Sequence, residues 1–253
     1  MTSVPRKYML KKQTPDHRDF MFSVPPVQCP PVVDMRPEMP VVLDQGSLGS
    51  CTANASTNCL RHLLLKEHVA DFLPSRLFIY YNSRVKIEGG DPSDDSGAQL
   101  RDVAKAIARY HVCKDEVWPY DISKFSEEPP ASTYDDAKMH KQLAYHAVPQ
   151  NLAAMKATLA AHFPIVIGIQ VFDSFEGPEV AASGIVPMPN VNTEQCLGGH
   201  AVLAVGYDDN KKKFLVMNSW GDQWGEKGFF EIDYDYVLNP ELACDFWVFT
   251  MFD

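Results

Sequence analysis

Cysteine is sparse in this chain, with six among 253 residues. There is no CxxC pair and no Cys/His spacing of the zinc-finger kind, which argues against a structural metal and against a scaffold built from disulfides. A mostly reduced set of thiols is the expectation, with no metal and no cofactor. Long apolar runs are missing too. The longest, residues 163–171, is interrupted by Pro164, Gly168 and Gln170 and falls far short of the roughly 20 residues that span a bilayer. The first twenty residues carry early charges but no apolar core of the signal-peptide kind. A soluble protein of cytoplasmic location is the expectation, with an unconventional export route left open. Basic residues are outnumbered, 23 Lys and Arg against 33 Asp and Glu, for a net charge of -10. That balance argues against nucleic-acid partners and anionic membrane surfaces. The cluster Lys211, Lys212 and Lys213 reads as a solvated turn. Internal repeats are also lacking.

What is present suits one domain in two lobes: 45% hydrophobic and 22% charged residues can build a packed core. Residues 1–30 form a proline-punctuated extension (Pro5, Pro15, Pro25, Pro26, Pro30, Pro31) that favours extended backbone. It reads either as a disordered lead or as a strap laid over a folded body of residues 31–253. From Cys51, apolar Ala55, Cys59 and Leu63 fall on one helical stripe, and Ser50 is placed to cap the helix. Further helices are expected over residues 97–110 and 151–161. The second half carries strand patterns at 165–171, 200–207, 214–218 and 228–232. The fold class is therefore α+β, with helices first and sheet second.

Asp208-Asp209-Asn210 separates two of these strands and suits a tight turn. A hairpin centred on Asp209 pairs Ala204 with Phe214, Val202 with Val216 and His200 with Asn218. His200 and Asn218 then face each other with Cβ atoms about 4.5–5.5 Å apart. An amide beside an imidazole holds its orientation and tautomer without adding charge, and Trp220 is placed to shield the bond. A polar cross-strand pair is the equally open structural alternative. A thiol in a first helical turn has its pKa lowered by the helix terminus, and a histidine can take its proton. The Cys51 N–H and the Gln45 side-chain amide, on a glycine-bearing approach (Gly46, Gly49), are candidate donors for an oxyanion. A free cysteine taken without these surroundings is more often a small buried hydrophobe.

The segment Gln45-Gly46-Ser47-Leu48-Gly49-Ser50-Cys51 resembles the nucleophile motif of the papain family (clan CA, family C1). Gly198-Gly199-His200-Ala201-Val202 resembles its histidine strand, and Asn218-Ser219-Trp220-Gly221 its asparagine motif. The histidine follows the cysteine by 149 positions (200 − 51 = 149), within the family window of about 130–150. The resemblance runs from about residue 31 to the end. It implies a helical left lobe, a β-barrel-like right lobe and a cleft between them. Peptide bonds would be cleaved by Cys51, His200 and Asn218, with Gln45 completing the oxyanion hole. Ser96, Gly97, Gly199 and Trp220 would contact the substrate. The implied partners are peptide or protein substrates, and protein inhibitors of papain-like enzymes. Leu48 stands where the family commonly has a cysteine, so that disulfide cannot form, and Thr52 replaces a usual aromatic residue. Both departures point toward bacterial and viral members. Deamidase, acyl-transferase and inactive peptide-binding alternatives share much of this pattern. Asn54-Ala55-Ser56 fits a glycosylation signal but lies in the expected central helix. Asp173, Glu176, Glu179 and the acidic loop near Asp94 read either as a basic-substrate pocket or as a solvated face.

Overall fold

Apolar residues at helical spacing nucleate the first long element, α1 (Cys51–Lys66). A computed structural model describes residues 6–25, 28–69, 71–140 and 142–251. In it α1 is buried on nearly every side, including Thr52, Asn54, Ser56 and Asn58, so it is the central helix and not an amphipathic surface one. Asn54 is therefore closed to glycosylation. Ser50 occupies the cap position, but its hydroxyl makes no cap bond. It meets the Tyr120 hydroxyl at 2.6 Å instead. Helix α2 (Arg76–Tyr81) is capped by Ser75 and runs into a wider π-type turn, Asn82–Ile87. Helix α3 (Leu100–Tyr110) starts three residues later than the pattern suggests, because Gly97 sits at φ 70°, outside the helical region. Helices α4 (Ala131–Lys138) and α5 (Leu152–Ala160) follow, the latter capped by Asn151.

The strands are β1 (Val32–Asp34), β2 (Leu143–Ala147), β3 (Ile165–Phe172), β4 (Cys196–Asp208), β5 (Lys213–Met217), β6 (Phe229–Asp233) and β7 (Ala243–Met251). They form one antiparallel sheet in the order β2-β7-β3-β4-β5-β6, with β1 added to β4. Strand β3 lies inside the sheet, and its Ile165, Val166, Ile167, Ile169 and Val171 are all 0% exposed. Such β-branched side chains stabilise the core by about 1.5–3 kcal/mol each when fully buried. The α+β architecture matches the sequence pattern. The sheet path ends at β2 and β6 among the described residues, so the sheet is open and not closed into a barrel. Short helices α6 (Pro178–Ser183) and α7 (Tyr234–Leu238) join its strands, and α1 packs against β4.

The β4–β5 hairpin corrects the expected register. Asp208 pairs with Lys213, Ala204 with Val216 and Leu203 with Met217, with a bulge at Val205. The connection is longer than a turn centred on Asp209, and Lys212 enters the left-handed region at φ 55°. His200 and Asn218 are consequently not opposite one another. Their side chains meet across a diagonal.

Of the leading thirty residues, 1–5, 26 and 27 lie outside the described ones. Residues 6–25 run over the body. Leu10 N–H donates to Gly199 O at 2.9 Å, and Phe22 N–H donates to Ala147 O at 2.7 Å. The Arg101 guanidinium grips Asp19 and the Thr14 carbonyl.

Candidate active site

Cys51 opens α1 and is 0% exposed. The helix terminus led to the expectation of a lowered thiol pKa, but the structure places it the other way. Burial pushes the thiol up to about 11, only partly offset by backbone groups of Ala201, Thr52 and Cys51 itself. Removing water costs a thiolate more than one helix end returns.

His200, on β4, is likewise 0% exposed. Its Nε2 meets Asn218 Oδ1 at 2.8 Å, while Nδ1 is buried with no hydrogen-bond partner. Asn218 Oδ1 also accepts the Ser219 N–H at 2.8 Å, which orients the amide with its oxygen toward the ring. Burial lowers the imidazole to about 4; the Asn218 bond opposes this and the Arg6 charge adds to it. Both shifts, the thiol's upward and the imidazole's downward, favour the uncharged forms in this covered state. Trp220 stacks on His200 with centroids 5.0 Å apart at 22°, which keeps water from the His200–Asn218 bond as the sequence suggested.

Gln45 is buried beside this pair. Ser219 Oγ donates to Gln45 Oε1 at 2.7 Å, and Gln45 Nε2 donates to Leu48 O at 3.1 Å. Those two bonds fix which end of the amide is the donor, and one N–H of the NH2 remains for another acceptor. Tyr120 braces the arrangement by donating to Gln45 O at 2.9 Å. Ser219 and Tyr120 were not singled out from sequence. Ser219 had a signal, since it adjoins Asn218; Tyr120 had none.

The loop holding Ser96 and Gly97 is anchored by groups that sequence patterns did not reveal. Arg84, fully buried, donates to the carbonyls of Asp91, Pro92 and Asp94, and to Phe125 O at 2.8 Å. A buried guanidinium whose two terminal nitrogens donate to several carbonyls ties separate backbone segments together. Tyr80 OH donates to Asp95 at 2.5 Å and accepts the Gly97 N–H at 3.1 Å. Asp95 in turn accepts the Gly49 N–H, two residues before Cys51.

All four residues expected to contact substrate touch the leading segment. Ser96 Oγ accepts from Lys11 Nζ at 3.2 Å. A Cβ on Gly97 would stand 1.7 Å from Met9 O, so only glycine lets that backbone pass. Gly199 O accepts the Leu10 N–H, and the Arg6 guanidinium lies 3.9 Å from the Trp220 ring centre. Of the other acidic candidates, Glu176 meets Arg6 and Tyr8, Asp173 accepts the Gln195 N–H, and Glu179 is exposed. Among the described residues no group of three or more His, Cys, Asp or Glu is placed to hold a metal ion. No described helix is long and apolar enough to cross a membrane.

A family model described as papain family cysteine protease matches residues 29–244. An uncharacterized peptidase C1-like protein of Acanthamoeba polyphaga mimivirus is 38% identical over 98% of this chain and 88% of its own length. A cathepsin B-like protein of Giardia intestinalis is 31% identical over 91% of this chain and 73% of its own. Among solved structures, xylellain, a cysteine protease from Xylella fastidiosa, superposes over 100% of both chains with a TM-score of 0.89 and 36% identity. A viral and a bacterial relative agree with the direction in which Leu48 and Thr52 point. By family model, relatives and fold together, the chain belongs to the papain family and is a cysteine-type peptidase.

Proposed function

We propose that the chain hydrolyses peptide bonds through a thioester on Cys51, with His200 as base, Asn218 orienting it, and Gln45 with the Cys51 N–H as oxyanion donors. The observation that carries this is the 2.8 Å bond from His200 Nε2 to Asn218 Oδ1, which keeps the ring proton on Nε2 and leaves the unpartnered Nδ1 as the nitrogen that can take one. His200 takes the thiol proton as sulfur attacks the carbonyl carbon, and the C–S bond forms. Negative charge on the carbonyl oxygen meets donors already in place. The proton passes to the leaving nitrogen as the C–N bond breaks. Water then gives a proton to His200, attacks the thioester and releases the acid, and the sulfur recovers its proton. Exposure to a peptidyl epoxysuccinate followed by mass spectrometry tests this. A single adduct on Cys51 in the Leu10→Arg protein, whose leading segment is unseated, absent when Cys51→Ala is added, supports it; a folded Leu10→Arg protein that forms none sinks it.

We further propose that the leading residues act as a pro-like strap. Their contacts with Ser96, Gly97, Gly199 and Trp220 support this, because a peptide bound there leaves no room for a substrate. Leu10→Arg should then raise activity on a small peptide substrate. Unchanged kinetics would count against it.

A further inference from the structure

One end of the cleft carries a constellation that bond cleavage itself does not use. The Arg6 guanidinium lies over the Trp220 ring, 3.9 Å from its centre. The same group donates from Nη1 to Glu176 Oε2 at 2.6 Å, and Tyr8 OH donates to the other oxygen of that carboxylate. Glu176 ends the short turn Asp173–Glu176. Its neighbour Phe175 is 1% exposed and packs on Trp220 and Trp224 at 5.6 and 5.8 Å. Buried aromatic packing of Phe175 thus ties the turn that carries Glu176 to the indole of Trp220.

An indole face with a carboxylate beside it matches a guanidinium better than an ammonium. Guanidinium is planar and weakly hydrated, stacks flat on aromatic rings and offers forked donors. The order along the leading segment places this pair in the cleft. Arg6 meets Trp220, Tyr8 sets its ring edge-on to His200 at 5.9 Å, and Met9 lies against Gly49 and Gly97. Trp220 therefore flanks His200 at the end away from Gly97. His200 is the group that hands its proton to the leaving amine.

We propose that Trp220 and Glu176 form a guanidinium subsite on the leaving-group flank of His200, which selects peptides carrying arginine just beyond the cleaved bond. The inference rests on the peptidase reading above. Arg6 fills this subsite while the segment is seated, and a substrate arginine takes its place when the segment leaves.

The test uses the full-length chain with Arg6→Ala and Leu10→Arg, so that the subsite is open and the leading segment is unseated. Internally quenched peptides would differ only in carrying arginine, lysine or uncharged citrulline at the two positions after the cleaved bond. Arginine should give a kcat/KM at least about tenfold above citrulline, with lysine between, since a partly buried ion pair and a cation–π contact act together. Adding Glu176→Gln should bring the arginine-to-citrulline ratio below about twofold. The same peptides, labelled, would be bound to the Arg6→Ala/Leu10→Arg/Cys51→Ala protein and followed by fluorescence anisotropy. Equal turnover and equal binding of the arginine and citrulline peptides would overturn the subsite, as would a preference that survives Glu176→Gln. Arginine-dependent binding without cleavage would uphold the subsite while overturning the peptidase reading, and cleavage indifferent to arginine would do the reverse.

Discussion

The carboxylate of Asp95 accepts the backbone N–H of Gly49 through both oxygens, at 3.1 and 3.0 Å, across 46 residues of chain. Gly49 belongs to the approach to Cys51, and Asp95 immediately precedes Ser96 and Gly97. Leu48 removes the disulfide that the family resemblance would suggest near this point. Asp95 supplies a noncovalent tie one residue away, with Tyr80 OH donating to the same carboxylate at 2.5 Å. Lys7 Nζ reaches it as well, at 2.6 Å, so this one side chain joins both loops and the leading segment.

Asp95→Ala should leave the Gly49 N–H and the Tyr80 hydroxyl without their acceptor and lower stability by about 1–3 kcal/mol. KM should rise as the Ser96–Gly97 loop loosens. Asp95→Asn keeps an acceptor and should lose less. Urea unfolding and steady-state kinetics on the two variants would check this; equal losses would mean that charge, not the tie, is what matters.

Asn218→Ala should lower kcat by at least about tenfold with little change in KM, since the imidazole loses the bond that sets its tautomer and orientation. Asn218→Asp restores an acceptor for Nε2 and should recover part of kcat. The carboxylate would also raise the His200 pKa, so the acid limb of the pH–rate profile should move to higher pH. A variant without either effect would place Asn218 outside the mechanism.

The covered thiol, pushed up to about 11 by burial, should alkylate slowly at neutral pH. Its rate with iodoacetamide should climb about tenfold per pH unit toward that value. Leu10→Arg weakens the seat of the leading segment, since the Leu10 side chain packs against Gly168. Water then reaches the site, and the midpoint should fall. The imidazole, now held near 4, should rise over the same change. Mass-spectrometric rates at several pH values give the midpoint, and an unchanged one would mean that the segment is not what buries Cys51.

Asp245 accepts the Gln13 N–H at 3.1 Å, and burial raises its pKa from 3.8 to about 6. Because the folded value lies above the unfolded one, its favourable contribution is complete below pH 3.8 and is lost as pH rises through 6. Across that window wild type should lose up to about 3 kcal/mol relative to Asp245→Asn. Chemical denaturation of both proteins at pH 4 and 7 would show it. A gap that stays constant with pH would contradict it.

Much of the framework was legible before any tertiary contact was known. Helix α1, strand β3 and β4 from His200 onward follow from apolar spacing and β-branched runs, which act over a few residues. The three motifs around Cys51, His200 and Asn218 were legible as family resemblance because the chemistry restricts residue types at each position. The β4–β5 register was not, because the bulge at Val205 and the left-handed Lys212 leave no local pattern. Strands β2 and β7 escaped notice since they pair with each other over about a hundred residues.

The acidity of Cys51 separates the two levels most clearly. Sequence by itself determined that a thiol begins a helix, and that a histidine and an amide follow at the right distance in the chain. Tertiary structure alone decided that residues 6–11 lie across them. Local dipoles push the thiol one way and desolvation the other, and desolvation is larger because it depends on how many distant segments exclude water at once.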